Sequence, residues 1–108
     1  MKRYRFLEEA DAEFQETIAY LDAQSEGLGD SFIDDVESAV RHVLQYPESG
    51  NPVSRHVRKS VLSKFPYNLL YVVESDEIVV VAVAAHRRRP NYWRKRLRLT
   101  RKKAGGER

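Results

Sequence analysis

Between Lys64 and Trp93 the chain reads KFPYNLLYVVESDEIVVVAVAAHRRRPNYW. Two runs rich in β-branched and aromatic residues, 65–73 and 78–85, flank four polar residues, and this arrangement predicts a β-hairpin. The second run is apolar at nearly every position, so both its faces need cover and it should lie inside a sheet rather than at an edge. Whatever precedes the hairpin must therefore supply that cover. Directly after it come His86, Arg87, Arg88 and Arg89, then Pro90, Tyr92 and Trp93, a dense polar and aromatic set at the mouth of a rigid strand. Scaffolds that end this way often carry their site there.

The earlier part of the chain supplies two amphipathic helices. Lys2 to Leu7 alternates and predicts a short first strand. Apolar residues then fall at Leu7, Ala10, Phe14, Ile18 and Leu21, a spacing that lines one helical stripe, with Glu8, Glu9 and Asp11 in the favourable first turn. Gly27, Leu28 and Gly29 break the pattern. A second stripe follows through Leu28, Phe32, Val36, Ala39, Val40 and Val43 until Pro47 stops it. The short link predicts an antiparallel helical hairpin whose role is to pack on the sheet. After a loop at 48–52, the run 53–62 alternates as a strand with a basic face, carrying Arg55, His56, Arg58 and Lys59, with Lys64 beyond it.

The order strand, helix, helix, strand, strand, strand predicts an α+β fold. A small antiparallel or mixed sheet of about four strands (β-α-α-β-β-β) carries the N-terminal helical hairpin on one face and leaves its other face free to bind. With 108 residues, 1–97 are expected to form a single domain, followed by a flexible basic tail over 98–108. No run is long enough for a membrane span and the N-terminus lacks a signal-peptide apolar block, so a cytoplasmic protein without membrane association is expected. There is no cysteine, and His42, His56 and His86 have no metal-ligand spacing, so neither a metal nor another cofactor is expected.

The net charge of +3 hides an asymmetry. Residues 1–86 hold fifteen acidic and eight basic side chains, whereas 87–108 hold eleven basic ones against Glu107 alone. A basic end of this density attracts polyanions such as nucleic acid or an acidic protein segment.

Several of these pieces, in this order, resemble the RelE/ParE family of bacterial type II toxins. They are Gly27-Leu28-Gly29 leading into Phe32, Tyr46-Pro47 before a basic strand with Val57-Arg58, Phe65-Pro66-Tyr67 with Tyr71, and Ala85 through Trp93. The resemblance implies a RelE/ParE-like domain over about residues 4–97 and a cognate antitoxin that neutralises it. It also implies an indirect link to operator DNA through the antitoxin complex.

The family divides by target, DNA gyrase for ParE-like members and messenger RNA on the ribosome for RelE-like ones. Metal-free RNA cleavage needs a base, an acid and cations around the developing charge. If the chain is RelE-like, the candidates are His86 as base or acid, Arg58 and Arg89 as phosphate clamps, and Tyr92 as proton donor or stacking surface. Arg55, Lys59, Lys64, Arg87, Arg88 and Trp93 are candidates for binding target or nucleic acid, although Trp93 reads first as the plug that seats the C-terminal turn against the sheet. The run His86 to Trp93 differs from the Arg-Gly-His-Tyr ending of the marked ribonuclease subgroup, which tilts the expectation toward a gyrase inhibitor. A relative without toxicity, binding nucleic acid or serving autoregulation, is the further alternative.

Overall fold

A computed structural model describes residues 3–98. Its elements are β1 (Arg3–Phe6), α1 (Glu8–Gln24), α2 (Leu28–Gln45), β2 (Asn51–Pro52), β3 (Val57–Val61), β4 (Tyr67–Val73), β5 (Glu77–Ala85) and a 3-10 turn, Arg94–Arg96. One mixed sheet runs in the order β1-β5-β4-β3-β2, with β1 parallel to β5 and the other neighbours antiparallel. The predicted tail, apart from Arg98, lies outside the described residues, as does Lys2 of the predicted first strand.

The expected hairpin is β4–β5, and every residue of β5 from Ile78 to Ala84 is buried. An inner strand with a neighbour on each side and cover on each face needs this unbroken apolar run. Two details differ from the sequence reading. The sheet has five strands rather than about four, because the 53–62 run is shorter than its alternation predicts. Its first residues instead turn, with the N–H groups of Val53 and Ser54 both directed at the Val57 carbonyl, 2.9 and 3.3 Å away. This turn brings Asn51–Pro52 back against β3 as a two-residue strand. Proline is tolerated there because the strand is an edge.

The second difference is a bulge. Leu70 pairs with Ala82 and Tyr71 with Val80, leaving Val81 without an opposite residue. Alternation therefore changes phase midway along β5. Beyond the bulge, Val83 and Ala85 pair with Leu69 and Tyr67, while Ala82 and Ala84 pair with Leu70 and Asn68. Ile78 and Val80 therefore share the Tyr71 face, whereas Ala82 and Ala84 share the face of Leu70 and Asn68.

The helices cover the Tyr67, Leu69 and Tyr71 face. Phe32, Val36, Val40 and Val43 of α2 are 0–5% exposed, so the stripe read from spacing is the buried one. A row of rings links the layers: Phe6 to Phe14 at 5.6 Å, Phe14 to Phe32 at 5.9 Å, and Phe32 to Phe65 and Tyr67 at 5.4 and 5.2 Å. Gly27 makes the link between the helices with φ at 92°, a left-handed conformation that glycine adopts without a Cβ clash. Gly29 serves differently. Its N–H donates to Asp22 Oδ1 at 2.8 Å, and a Cβ there would lie 2.7 Å from that carboxylate.

Two buried polar groups fix the connections. Asp35 on α2, 5% exposed, accepts from the Lys64 and Phe65 N–H groups at 2.9 and 3.2 Å and so sets the turn into β4. Tyr71, 1% exposed, donates its hydroxyl to the Pro47 carbonyl at 2.8 Å and accepts from the Gly50 N–H at 3.0 Å, which pins the loop after α2. Both Gly50 and Tyr71 are buried, so removing the hydroxyl strands an amide. Tyr71→Phe should cost about 2 kcal/mol of stability in urea unfolding, with the far-UV spectrum unchanged.

Candidate functional site

The chain leaves β5 through hydrogen bonds that hold the first arginines close to the sheet. The His86 N–H donates to the Pro66 carbonyl at 2.9 Å and the Arg88 N–H to the Ala85 carbonyl at 3.0 Å. Asn91 then adopts φ of 67°, a left-handed conformation that asparagine tolerates better than most residues, and its carbonyl accepts from the Arg94 N–H at 3.1 Å. This reversal sends the segment back over the face that carries Asn68, Leu70 and Val72. Trp93 is 3% exposed within the main core, and Leu97 reaches the depression formed with Val57 and Val72. The face opposite the helices is therefore partly covered, contrary to the expectation that it stands free. The Trp93 ring is buried beneath this segment and is not presented on the surface as target binding would require.

The segment is tied to α1 by one carboxylate. Glu13 Oε1 accepts from the Val83 N–H at 2.9 Å and from Arg96 Nη1 at 3.0 Å, and Oε2 accepts from the Tyr92 hydroxyl at 2.8 Å and Arg96 Nη2 at 3.0 Å. Arg96 Nη1 also donates to the Val81 carbonyl at 3.0 Å. The reason lies in strand lengths. β1 ends at Phe6 opposite Val80, and the Leu7 N–H makes the last bond on that side, to the Val80 carbonyl. Beyond it the β5 backbone has lost its strand neighbour, and the Glu13–Arg96 pair supplies an acceptor to Val83 and a donor to Val81 in its place. Both side chains are 16% exposed and meet in bidentate geometry, the strong form of this interaction.

These contacts set the proton affinities. Burial, then the hydrogen bond to Glu13 and its negative charge, hold the Tyr92 hydroxyl well above its ordinary value of 10.0, and the nearby Arg96 and Arg88 only partly oppose this. Burial alone would lower the Arg96 value, but its bond to Glu13 and that carboxylate's charge outweigh burial and raise it. The Arg88 guanidinium lies 3.9 Å from the centre of the Tyr92 ring and that of Arg96 5.1 Å.

The remaining predicted residues fall into separate groups. His86, Arg88, Arg89 and Tyr92 gather with Lys59 of β3 around a depression of about 190 Å³. Arg87 lines a different one of about 840 Å³, shared with His86, Tyr20, Phe65 and Tyr67. Arg55, in the turn before β3, and Arg58 line a third of about 510 Å³. Arg58 donates through Nη1 to the carbonyls of Glu48 and Gly50 at 3.0 and 2.8 Å, so it braces the same loop that Tyr71 pins. Lys64 is exposed on the turn held by Asp35. Of the four nuclease candidates, His86, Arg89 and Tyr92 are brought together and Arg58 is not.

Sequence reasoning missed Glu13, Asp35 and Arg96. Glu13 and Asp35 each directly precede an apolar stripe residue, Phe14 and Val36, and that adjacency was the only available signal. Among the described residues no group of three or more His, Asp or Glu side chains is placed to hold a metal ion, and no helix is long and apolar enough to cross a membrane.

Two outcomes follow from the carboxylate. Glu13→Ala leaves a buried guanidinium and a strand N–H without their acceptor and should cost about 2–4 kcal/mol in urea unfolding, against about 1 kcal/mol for Glu13→Gln, which keeps an acceptor. The raised Tyr92 value means that the folded state holds its proton more tightly than the unfolded chain. Its stabilising share is fully present below the unfolded value near 10.0 and falls as pH rises above it. Thermal midpoints measured across alkaline pH should decline less steeply in Tyr92→Phe than in the parent.

The family model for the ParE toxin of type II toxin–antitoxin system, parDE, matches residues 4–90. Among solved structures the fold is similar to a chain of the chromosomal ParDE TA system from P. aeruginosa. The TM-score is 0.69, with 16% sequence identity and coverage of 79% of this chain and 96% of that one. At that identity the likeness speaks for the fold. A search of curated proteins returned no match. The family match runs from β1, through both helices and the whole sheet, to Pro90 at the mouth of β5, and by it the chain belongs to the ParE toxin family of type II toxin–antitoxin systems.

Proposed function

We propose that this chain arrests growth as a cytoplasmic toxin that inhibits DNA gyrase, and that a cognate antitoxin neutralises it and carries it to operator DNA. The observation that supports inhibition over RNA cleavage is the bond between the Tyr92 hydroxyl and Glu13. Cleavage by the 2′-hydroxyl route needs an acid for the leaving oxygen as well as a base. Tyr92 lines the same depression as His86, and its proton is directed to a carboxylate that also raises its pKa. Arg58, the second cation such chemistry would use, donates to two loop carbonyls and lines another depression. What remains is an exposed basic surface, suited to gripping a macromolecule rather than to transferring protons.

The fold that presents this surface is rigid where it matters for binding. His86 to Arg89 follow directly on a buried strand, and their backbone is tied to Pro66 and Ala85. A backbone held in this way adds little ordering cost on association, so the cost falls on the exposed side chains alone.

The test joins two assays on one preparation to a growth measurement. Purified protein should inhibit gyrase supercoiling, the coexpressed neighbouring open reading frame should restore growth, and messenger RNA on purified ribosomes should remain intact. Ribosome-dependent cleavage that disappears in His86→Ala would reverse the assignment to the ribonuclease reading.

A further inference from the structure

The depression of about 840 Å³ lies where α1 meets the start of β4 and the end of β5. Glu16 and Tyr20 come to it from α1, Phe65 and Pro66 from the turn into β4, and His86 and Arg87 from the exit of β5. Its size falls within the range of small-ligand sites, roughly 300–1,000 Å³. Two contacts fix its shape before anything binds. The bond from the His86 N–H to the Pro66 carbonyl at 2.9 Å locks the β4 and β5 sides together, and Phe65 stands edge-on to the buried Phe32 at 5.4 Å.

The fold leaves the polar groups of this cleft unused. Glu16 and Arg87 line it with opposite charges, yet neither side chain makes an ion pair or hydrogen bond with a described residue. A main-chain donor is left over beside them. The N–H groups of His86 and Arg88 are both bonded, whereas that of Arg87 between them has no acceptor among the described residues. Guanidinium, imidazole and free amide together suit an anion, while the Glu16 carboxylate accepts only. Tyr20, 58% exposed, adds an aromatic surface. A ligand that satisfies all of these carries an anionic group, N–H donors apart from it, and a flat apolar body.

We propose that this cleft binds a guanine nucleotide, its base against the Tyr20 ring, its N1–H and N2–H donating to the Glu16 carboxylate, and its phosphate held by Arg87 and His86. Unstacked bases are recognised in this way, by an aromatic surface together with hydrogen bonds to the pairing edge. Guanine sets two N–H donors side by side on that edge, and one carboxylate accepts both. Adenine and cytosine place a ring-nitrogen acceptor beside their amino group, and uracil holds a single N–H between two carbonyls. An arginine-bearing, proline-rich peptide would also use rings and a carboxylate, but it would bring a cation to Arg87 and leave the anion-binding donors unfilled. The cleft is distinct from the depression of Lys59, Arg88 and Arg89, although His86 borders both, and its chemistry does not draw on the gyrase reading.

Isothermal titration of the full-length protein with guanosine monophosphate tests the site, beside guanosine, inosine monophosphate and adenosine monophosphate. Guanosine monophosphate should bind saturably, and each of the others about tenfold more weakly or worse. Guanosine lacks the phosphate, the inosine nucleotide lacks the second donor, and the adenosine nucleotide presents an acceptor in place of N1–H. Glu16→Gln should weaken guanosine monophosphate about tenfold and remove its advantage over the adenosine nucleotide, whereas Arg87→Ala should weaken it about tenfold and leave guanosine unchanged. Both positions are exposed, so the thermal midpoint without ligand should not move. A uridine pentanucleotide carrying one central guanosine identifies the source of the ligand. Affinity more than about tenfold above that of guanosine monophosphate assigns the site to an RNA strand, and equal or lower affinity assigns it to the free nucleotide. Equal binding of the guanosine and adenosine nucleotides, affinity unmoved in Glu16→Gln, or no saturable binding of guanosine monophosphate, whether or not an arginine- and proline-rich peptide takes the cleft, would each overturn the proposal.

Discussion

The architecture depends on keeping the backbone of β5 hydrogen-bonded along a run that is buried from Ile78 to Ala84. A buried apolar run cannot tolerate unpaired amides, and one side of β5 is supplied by β1 only as far as Val80. Glu13 and Arg96 complete the ladder with side-chain atoms, one from α1 and one from the C-terminal segment. Through that substitution the first helix, the central strand and the end of the domain become one unit. The arrangement also explains why the segment after Pro90 folds at all. It is short and strongly basic, and its one long run of favourable contacts is made by Tyr92, Trp93 and Arg96 against the sheet and Glu13.

Much of the fold was legible because it is written in periodicity. The helical stripes through Phe14 and Phe32, the unbroken run of β5 and the break at Gly27 each follow from local spacing, and the element order follows from them. What could not be read was anything decided by partners remote in sequence. The bulge at Val81 depends on where β4 meets β5, and nothing in an unbroken apolar run marks its position. Glu13, Asp35 and Arg96 look like solvated charges until the backbone groups they serve are known. The turn at 53–56 shows the same limit. Its residues alternate as a strand should, yet the carbonyl of Val57 draws two N–H groups and closes a hairpin instead.

The candidate site was legible as a cluster and not as a geometry. The run from His86 to Trp93 does stand at the end of a rigid strand, but its members divide by task. Tyr92, Trp93 and Arg96 attach the segment, whereas His86, Arg87, Arg88 and Arg89 remain exposed. Arg88 belongs partly to both groups, since it is exposed and also lies over the Tyr92 ring. Sequence alone does not distinguish these tasks, because arginine and tyrosine are as suited to holding a segment as to holding a ligand.

The charge separation acquires meaning from the layering. Glu16 of α1 lines one depression with Arg87, whereas the depression of Lys59, Arg88 and Arg89 has no acidic side chain in its lining. Exposed charges farther apart than the Debye length of about 8 Å at physiological ionic strength are largely screened from one another. A partner approaching the basic side is then governed by that side's local field rather than by the modest net charge of the molecule. A chain that is nearly balanced in total can therefore present a strongly cationic face, and an acidic segment can be drawn to it without the toxin itself carrying a large net charge.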